Sequence, residues 1–153
     1  MKSMEIRHLE ESDDRFALSD IDAILEIWLQ TNIEAHNFIS ESYWRNNYSM
    51  VKDLLPKSEI YVYEENEIIK GFVGLNDEYI EGIFVSQEYQ GTGIGKALLD
   101  YIKTFKSTLT LSVYQKNQRA FNFYKREGFE VQSQNIDSDT NEKDYFMIWQ
   151  KEK

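Results

Sequence analysis

Residues 88–102, EYQGTGIGKALLDYI, set Gly91, Gly93 and Gly95 immediately ahead of an apolar run at helical spacing. Glycines in such a place let backbone N–H groups approach an anion, helped by the positive end of the following helix dipole. Two phosphate-loop patterns fail here. The dinucleotide fingerprint G-x-G-x-x-G, counted from Gly91, meets Lys96 at its third glycine. The nucleoside-triphosphate loop G-x-x-x-x-G-K-[ST] meets Gln90 at its first glycine and Ala97 where a magnesium-binding hydroxyl is required. A third pattern, Q/R-x-x-G-x-G/A, is satisfied by Gln90-Gly91-Thr92-Gly93-Ile94-Gly95. The anion also has local charge to meet. From Gln87 to Glu127 seven Lys and Arg face three Asp and Glu, a segment of net +4 in a chain of net −10.

The elements that must position this turn follow from periodicity. Met4–Leu9 reads as a strand, and Ser19-Asp20 as the N-cap of a helix carrying Ile21, Ile24, Leu25, Trp28 and Leu29. Ser40 or Ser42 starts a second helix that runs to about Leu55, where Pro56 stops it. EIYVYEENEIIKGFVGL alternates, turns near Glu64-Glu65-Asn66 and alternates again, and Tyr79–Val85 adds a third strand after a turn at Asn76-Asp77. Ile94, Ala97, Leu98, Tyr101, Ile102 and Phe105 stripe one face of the helix after the glycines. Leu109–Tyr114 follows as a strand parallel to its predecessor, since a helix connects them. A helix over 117–127 ends at Gly128, and Phe129–Gln132 and Asp144–Gln150 close the sheet around a polar loop. The expectation is one α/β domain over residues 1–153 with a mixed, mostly antiparallel sheet of six or seven strands and about four helices.

Composition excludes other classes. A hydrophobic share of 41% and an aromatic share of 14% belong to an ordered globular chain. With no cysteine, disulfides, thiolate metal sites and a thiol nucleophile are absent, and two histidines 28 positions apart form no metal site. No apolar run approaches the roughly 18 residues of a membrane span, and the N-terminus has no secretory core. A cytoplasmic location is expected. Net −10 argues against nucleic acid or an acidic membrane as partner. Nothing decides between monomer and homodimer.

The glycine turn and its approach, IFVSQEYQGTGIGKALL, resemble motif A of the GNAT superfamily of acetyl-CoA-dependent N-acetyltransferases. YQKNQRAFNFYKREGF resembles that family's motif B, N-x-x-A-x-x-F-Y-x-x-x-G-F, with Asn117, Ala120, Phe123, Tyr124, Gly128 and Phe129 in register. The resemblance extends over the whole chain, and EAHNFI at 34–39 is similar to a bacterial YjaB-like branch. It implies acetyl-CoA as cosubstrate, with the amides of Gly91, Thr92, Gly93, Ile94 and Gly95 on the pyrophosphate and Gln90 steadying the turn. It further implies Lys96, Arg119, Lys125 and Arg126 as candidates for the outer phosphate, and a sheet splayed between its fourth and fifth strands. Backbone at Phe84 and Val85 would then pair with pantetheine, with Asn117 holding the same arm.

Direct transfer to an amine needs a proton acceptor for the ammonium, a donor to the oxyanion and a proton for the departing thiolate. The resemblance makes Tyr124 the general acid and the Val85 N–H the oxyanion donor. Two residues compete as base. Glu81 lies four residues before Val85, a separation that puts both side chains on one face of a regular strand, and His36 sits at the junction of the first two helices. Tyr43, Trp44, Tyr79 and Tyr114 are candidates for the acceptor pocket. The acceptor is expected to be cationic: a protein lysine or N-terminus, a polyamine or an aminoglycoside-like amine. The competing reading is an acetyl-CoA sensor without transferase activity. Another kind of nucleotide-binding protein is disfavoured by Lys96 and Ala97.

Overall fold

The computed structural model describes residues 4–9 and 18–152. In chain order the elements are β1 (Met4–Leu9), α1 (Leu18–Ala35), α2 (Glu41–Asn46), α3 (Tyr48–Leu54), β2 (Glu59–Glu65), β3 (Ile68–Asn76) and β4 (Tyr79–Val85). Then come α4 (Ile94–Lys103), β5 (Thr108–Tyr114), α5 (Gln118–Arg126), β6 (Glu130–Ile136) and β7 (Lys143–Gln150). Short 3-10 turns at Leu55–Lys57 and Gln87–Tyr89 complete the order. Among the described residues no helix is long and apolar enough to cross a membrane.

All seven strands join one sheet in the order β1-β2-β3-β4-β5-β7-β6. β1 to β4 form an antiparallel meander, and β5, β7 and β6 a second antiparallel set. The two sets meet at the parallel neighbours β4 and β5, which share the single register pair Tyr79↔Thr110. Every other neighbouring pair shares six or seven. The sheet therefore opens between β4 and β5 immediately beyond Tyr79, as the expected splay requires.

Each face of the sheet carries its own core. Val73, Leu75, Ile80, Leu111 and Met147 pack under α4 and α5, whereas Ile60, Val62 and Phe72 pack under α1 and α3. Leu98, Leu99 and Ile102 are fully buried. Each contributes roughly 1.5–3 kcal/mol by leaving water, and together they fix the axis of α4 and so the direction of its N-terminus.

Three boundaries differ from the sequence expectation. Ser40 does cap α2, its Oγ accepting from the Ser42 N–H at 3.3 Å. The expected single helix breaks at Asn47, however, whose Nδ2 donates to the Tyr43 carbonyl at 2.7 Å and competes with the backbone ladder. Among the described residues five α-helices result, with Pro56 inside a 3-10 turn. β6 runs to Ile136, past Gln132, and is exposed along its length, so it carries none of the alternation that marks a half-buried strand. Ser19 and Asp20 lie inside the first turn of α1, and the residue before Leu18 is outside the described residues.

Candidate active site

The glycine turn is built for close approach. Gly91 and Gly93 adopt φ values of +79° and +90°, the left-handed region that side chains disfavour, and the space above each Cα is open. Gly93 is the N-cap of α4, and no side chain caps that helix. Its first N–H groups thus face outward with no intrahelical acceptor. Thr92 closes the turn by donating to the Tyr89 carbonyl at 2.5 Å. Gln90 braces it from both sides, donating to the Val85 carbonyl at 2.9 Å and accepting from Arg119 at 2.7 Å. Gly95 sits against Phe123, Ile83 and Val85, where an added Cβ would make ordinary contact.

The cations of this segment divide into two groups. Lys96, expected near the outer phosphate, is paired with Asp100 at 3.0 Å and Glu127 at 3.3 Å. Lys106 and Lys116 pair with Glu59 and Glu142. Arg119 meets only the neutral Gln90 amide, and Lys125 and Arg126 have no carboxylate partner among the described residues. Arg119 and Arg126, seven residues apart, share one face of α5 with Phe123. Lys103 donates to the Glu127 carbonyl at 2.6 Å, so among the described residues the positive charge with neither a carboxylate nor a backbone partner lies on α5, beside the turn.

The opening between β4 and β5 exposes one edge of β4. Ser86 donates to the Lys70 carbonyl at 3.0 Å. By antiparallel alternation Phe84 then also turns its N–H and C=O toward β3, while those of Ile83 and Val85 face the opening. Phe84, expected to offer its backbone with Val85, is committed to β3, and Ile83 stands in its place. The alternation also fails at Glu81. β3 pairs Gly74 with Gly82 but Leu75 with Ile80, leaving Glu81 as the extra residue of a β-bulge. Ile83 and Val85 pack on the α4 face. Glu81 instead lies beside Gly74, whose neighbours Val73 and Leu75 face α4, so its side chain emerges on the α1 face. The shared face expected for Glu81 and Val85 is removed by the bulge. Burial pushes the Glu81 carboxyl above the usual carboxylate range.

Tyr124 belongs to the α4 face, packed edge-on against Phe129 and only 7% exposed. Its hydroxyl has no hydrogen-bond partner among the described residues. Burial first, and the neighbouring Tyr79 second, raise it above its ordinary value, so it stays protonated at neutral pH. Asn117 is the N-cap of α5, its Oδ1 accepting from the Ala120 N–H at 3.2 Å. Its Nδ2 lies 3.2 Å from His36 Nε2, and His36 Nδ1 lies 3.0 Å from the Asn32 carbonyl. His36, expected as a candidate base, is thus bonded through both ring nitrogens, and burial lowers it to about 4.

On the α1 face His36 stands in an aromatic box, stacked on Trp44 at 5.2 Å and met edge-on by Phe38 and Tyr114. Tyr114, at the end of β5, donates to Asp137 of the β6–β7 loop at 2.6 Å. Burial, then Asp137 and Asp139, push the Tyr43 hydroxyl up, and burial, then Asp137, raise Asp144, whose Oδ1 is buried without a partner. Tyr43, Trp44 and Tyr114 were candidates in the sequence, and Phe38 was not. Neither were Asp137 and Asp144, because the loop that carries Asp137 has no motif and only the fold brings it to Tyr43 and Tyr114, while strand pairing sets Asp144 on β7 opposite Tyr114.

This wedge, glycine turn and tyrosine are accompanied by direct similarity to known proteins. An acetyltransferase (GNAT) domain model matches residues 56–131. The peptidyl-lysine N-acetyltransferase YiaC of Escherichia coli is 36% identical over 133 residues, 86% of this chain and 91% of that protein. The peptidyl-lysine N-acetyltransferase YjaB of Salmonella typhimurium is 32% identical over 110 residues, 71% of this chain and 75% of that one. The solution structure of apo-form YjaB from Escherichia coli superposes with a TM-score of 0.81 at 21% identity, over 98% of this chain and 99% of that one. Solved proteins of the same fold include complexes with acetyl-CoA. The chain belongs to the GNAT family of acetyltransferases. The resemblance to the YjaB branch holds as well.

Proposed function

We propose that the protein, acting as one catalytic domain over its 153 residues, transfers the acetyl group of acetyl-CoA to the side-chain amine of a lysine in a peptide or protein. The observation that carries this reading is the wedge between β4 and β5. Along one edge it offers the Ile83 backbone and the Val85 N–H, the chain beyond it leads to an open helix N-terminus, and Tyr124 and Glu81 belong to opposite faces of the sheet.

In this reading the pyrophosphate sits on the amides of Gly91 to Gly95, next to Arg119, with Arg126 and Lys125 nearest the outer phosphate. The pantetheine arm lies along Ile83 and Val85 as an added strand and reaches the Asn117 amide. The lysine enters from the α1 face. Glu81, held above the carboxylate range by burial, takes the ammonium proton directly or through water. The free amine nitrogen attacks the thioester carbonyl, and the Val85 N–H donates to the oxyanion that forms. As the carbon–sulfur bond breaks, the thiolate takes the Tyr124 proton from the opposite face. The product amide and free coenzyme A leave. Acid and base are separated by the sheet, so neither has to serve both proton transfers.

A cytoplasmic setting fits a cysteine-free chain with this pair of substrates. The experiment is a thiol-release assay with acetyl-CoA over lysine peptides, the same peptides carrying acetyl-lysine, and peptides whose only amine is the N-terminus. Turnover with the lysine peptides alone is expected. Turnover restricted to N-terminal amines would overturn the lysine assignment, and acetyl-CoA binding without turnover on any amine would make the protein a sensor.

A further inference from the structure

The Asn117 amide is held at both ends. Oδ1 accepts from the Ala120 N–H, and Nδ2 faces His36 Nε2 across 3.2 Å. The far side of the ring decides the direction of that contact. His36 Nδ1 lies 3.0 Å from the Asn32 carbonyl, which can only accept, so the ring proton is on Nδ1 and Nε2 presents a lone pair. Turned over, the Asn117 amide would set donor against donor at Ala120 and acceptor against acceptor at His36. Both contacts therefore select one orientation. That orientation leaves Asn117 one unused N–H and one unused lone pair, the complement of another amide.

The ring that enforces it is not free to swing. Trp44 stacks on it, Phe38 and Tyr114 meet its edges at 5.6 and 5.1 Å, and the end of α1 supplies its Nδ1 acceptor. Burial holds its pKa near 4, so the Nε2 lone pair is present throughout the neutral range. Because both nitrogens are occupied, His36 is poorly placed to take a proton from an incoming amine.

We infer that His36 is a positioning residue for the cofactor: its Nε2 lone pair orients the Asn117 amide toward an amide of the pantetheine arm and ties the α1–α2 junction to coenzyme binding. This rests on the wedge being the coenzyme site. The link is specific to coenzymes that carry the arm, since the phosphates are held elsewhere, by the glycine turn and α5.

The test is calorimetric titration of acetyl-CoA, and of adenosine 3′,5′-bisphosphate as a ligand without the arm, into four variants. His36→Phe keeps a ring in the box and removes the lone pair, whereas His36→Gln restores an acceptor oxygen. Asn117→Ser keeps an N-cap hydroxyl but removes the amide. The fourth combines His36→Phe with Asn117→Ser. His36→Phe and Asn117→Ser should each weaken acetyl-CoA roughly five- to tenfold, the effect of one hydrogen bond. The double variant should lose no more than either single one. His36→Gln should stay within about twofold of the parent, and the bisphosphate should bind all four alike. If Asn117→Ser weakens acetyl-CoA and His36→Phe does not, the positioning role is overturned while the coenzyme site stands. Multiplying losses in the double variant, or His36→Gln as weak as His36→Phe, would overturn it too. If the parent bound no acetyl-CoA, the coenzyme site itself would fall and the inference with it. Should His36→Phe not fold, His36→Leu against His36→Gln makes the same comparison.

Discussion

The two faces of the sheet present the same wedge to different chemistry, and they are encoded differently. On the α4–α5 face every part of the proposed coenzyme site lies between Ile83 and Arg126, and much of it is backbone geometry: φ at Gly91 and Gly93, the open end of α4, the edge of β4 that β5 leaves open. On the α1 face the parts come from distant segments. His36 comes from the α1–α2 junction and Trp44 from α2, Glu81 from a bulge, Tyr114 from β5, Asp137 from the β6–β7 loop and Asp144 from the start of β7. A ligand recognised by backbone tolerates little sequence change, so its site is local and motif-like. A pocket recognised by side chains can be reassembled from any segments that meet.

The sharpest way to break this contrast is to disable the backbone face alone. Gly93→Asp puts a carboxylate where the anion would sit and forces a side chain onto φ +90°. Acetyl-CoA affinity should fall by more than about a hundredfold, since charge repulsion and lost amide contacts add. Normal titration would remove the glycine turn from the site. Circular dichroism should show the fold retained, because open space surrounds Gly93. Next in size is Tyr124→Phe. The ring stays packed against Phe129 and only the proton is lost, so turnover should drop about 10²-fold with acetyl-CoA affinity within a few-fold. Undiminished turnover would deny Tyr124 the role of acid.

These two residues also mark how far the sequence could be read. The turn pattern and the N-x-x-A-x-x-F-Y spacing lie within single segments, and the structure joins Gln90 to Val85 and Arg119, joins Asn117 to His36 and packs Tyr124 in the α4-face core. The meander and the parallel β5 were legible because short turns and one helical crossover leave few topologies, whereas the splay followed from the family resemblance alone. What was not legible depends on pairing. A bulge is a property of two strands, so Glu81 looked like part of a regular alternation until β3 set its register. The free backbone residues shifted from Phe84 to Ile83 on the same account. Lys96 looked available because Glu127, its second partner, lies 31 residues away on the end of α5. His36 looked like a base because an imidazole's ordinary pKa suits proton transfer, and its burial and its contact with Asn117, 81 residues away, come only from the fold.

The side-chain face should respond differently, through the acceptor and not the coenzyme. Tyr114→Phe frees the β6–β7 loop from β5 by removing the bond to Asp137. A hydrogen bond to a charged group contributes roughly 1.5–3 kcal/mol, so KM for a lysine peptide should rise by about tenfold with KM for acetyl-CoA unchanged. A rise in both would mean that the two faces are not separable. Glu81→Gln sharpens the same division through pH. If Glu81 is the base, the acidic limb of kcat/KM falls at a pKa above the usual carboxylate range, and the glutamine variant should lose that limb. A limb that persists unchanged assigns the base elsewhere.

The smallest effect is zero at neutral pH and concerns stability. His36 has an ordinary value of 6.5, and burial lowers it to about 4 in the folded chain. Between those values the unfolded chain binds a proton that the folded one refuses, so the wild-type protein loses stability as pH falls through that window. Above 6.5 both states are neutral at this ring and nothing is lost. His36→Phe lacks the titration. The wild-type stability minus that of His36→Phe, from urea unfolding at a series of pH values, should be flat from pH 8 to about 6.5 and then decline toward pH 4. Glu81 and Asp144, whose carboxyls burial raises, are common to both proteins and cancel in the difference. A difference that stayed flat to pH 4 would mean that the ring takes up a proton in the fold as readily as out of it. The Nε2 lone pair would then be no fixed partner for Asn117, and the two faces of the wedge would be coupled by something other than His36.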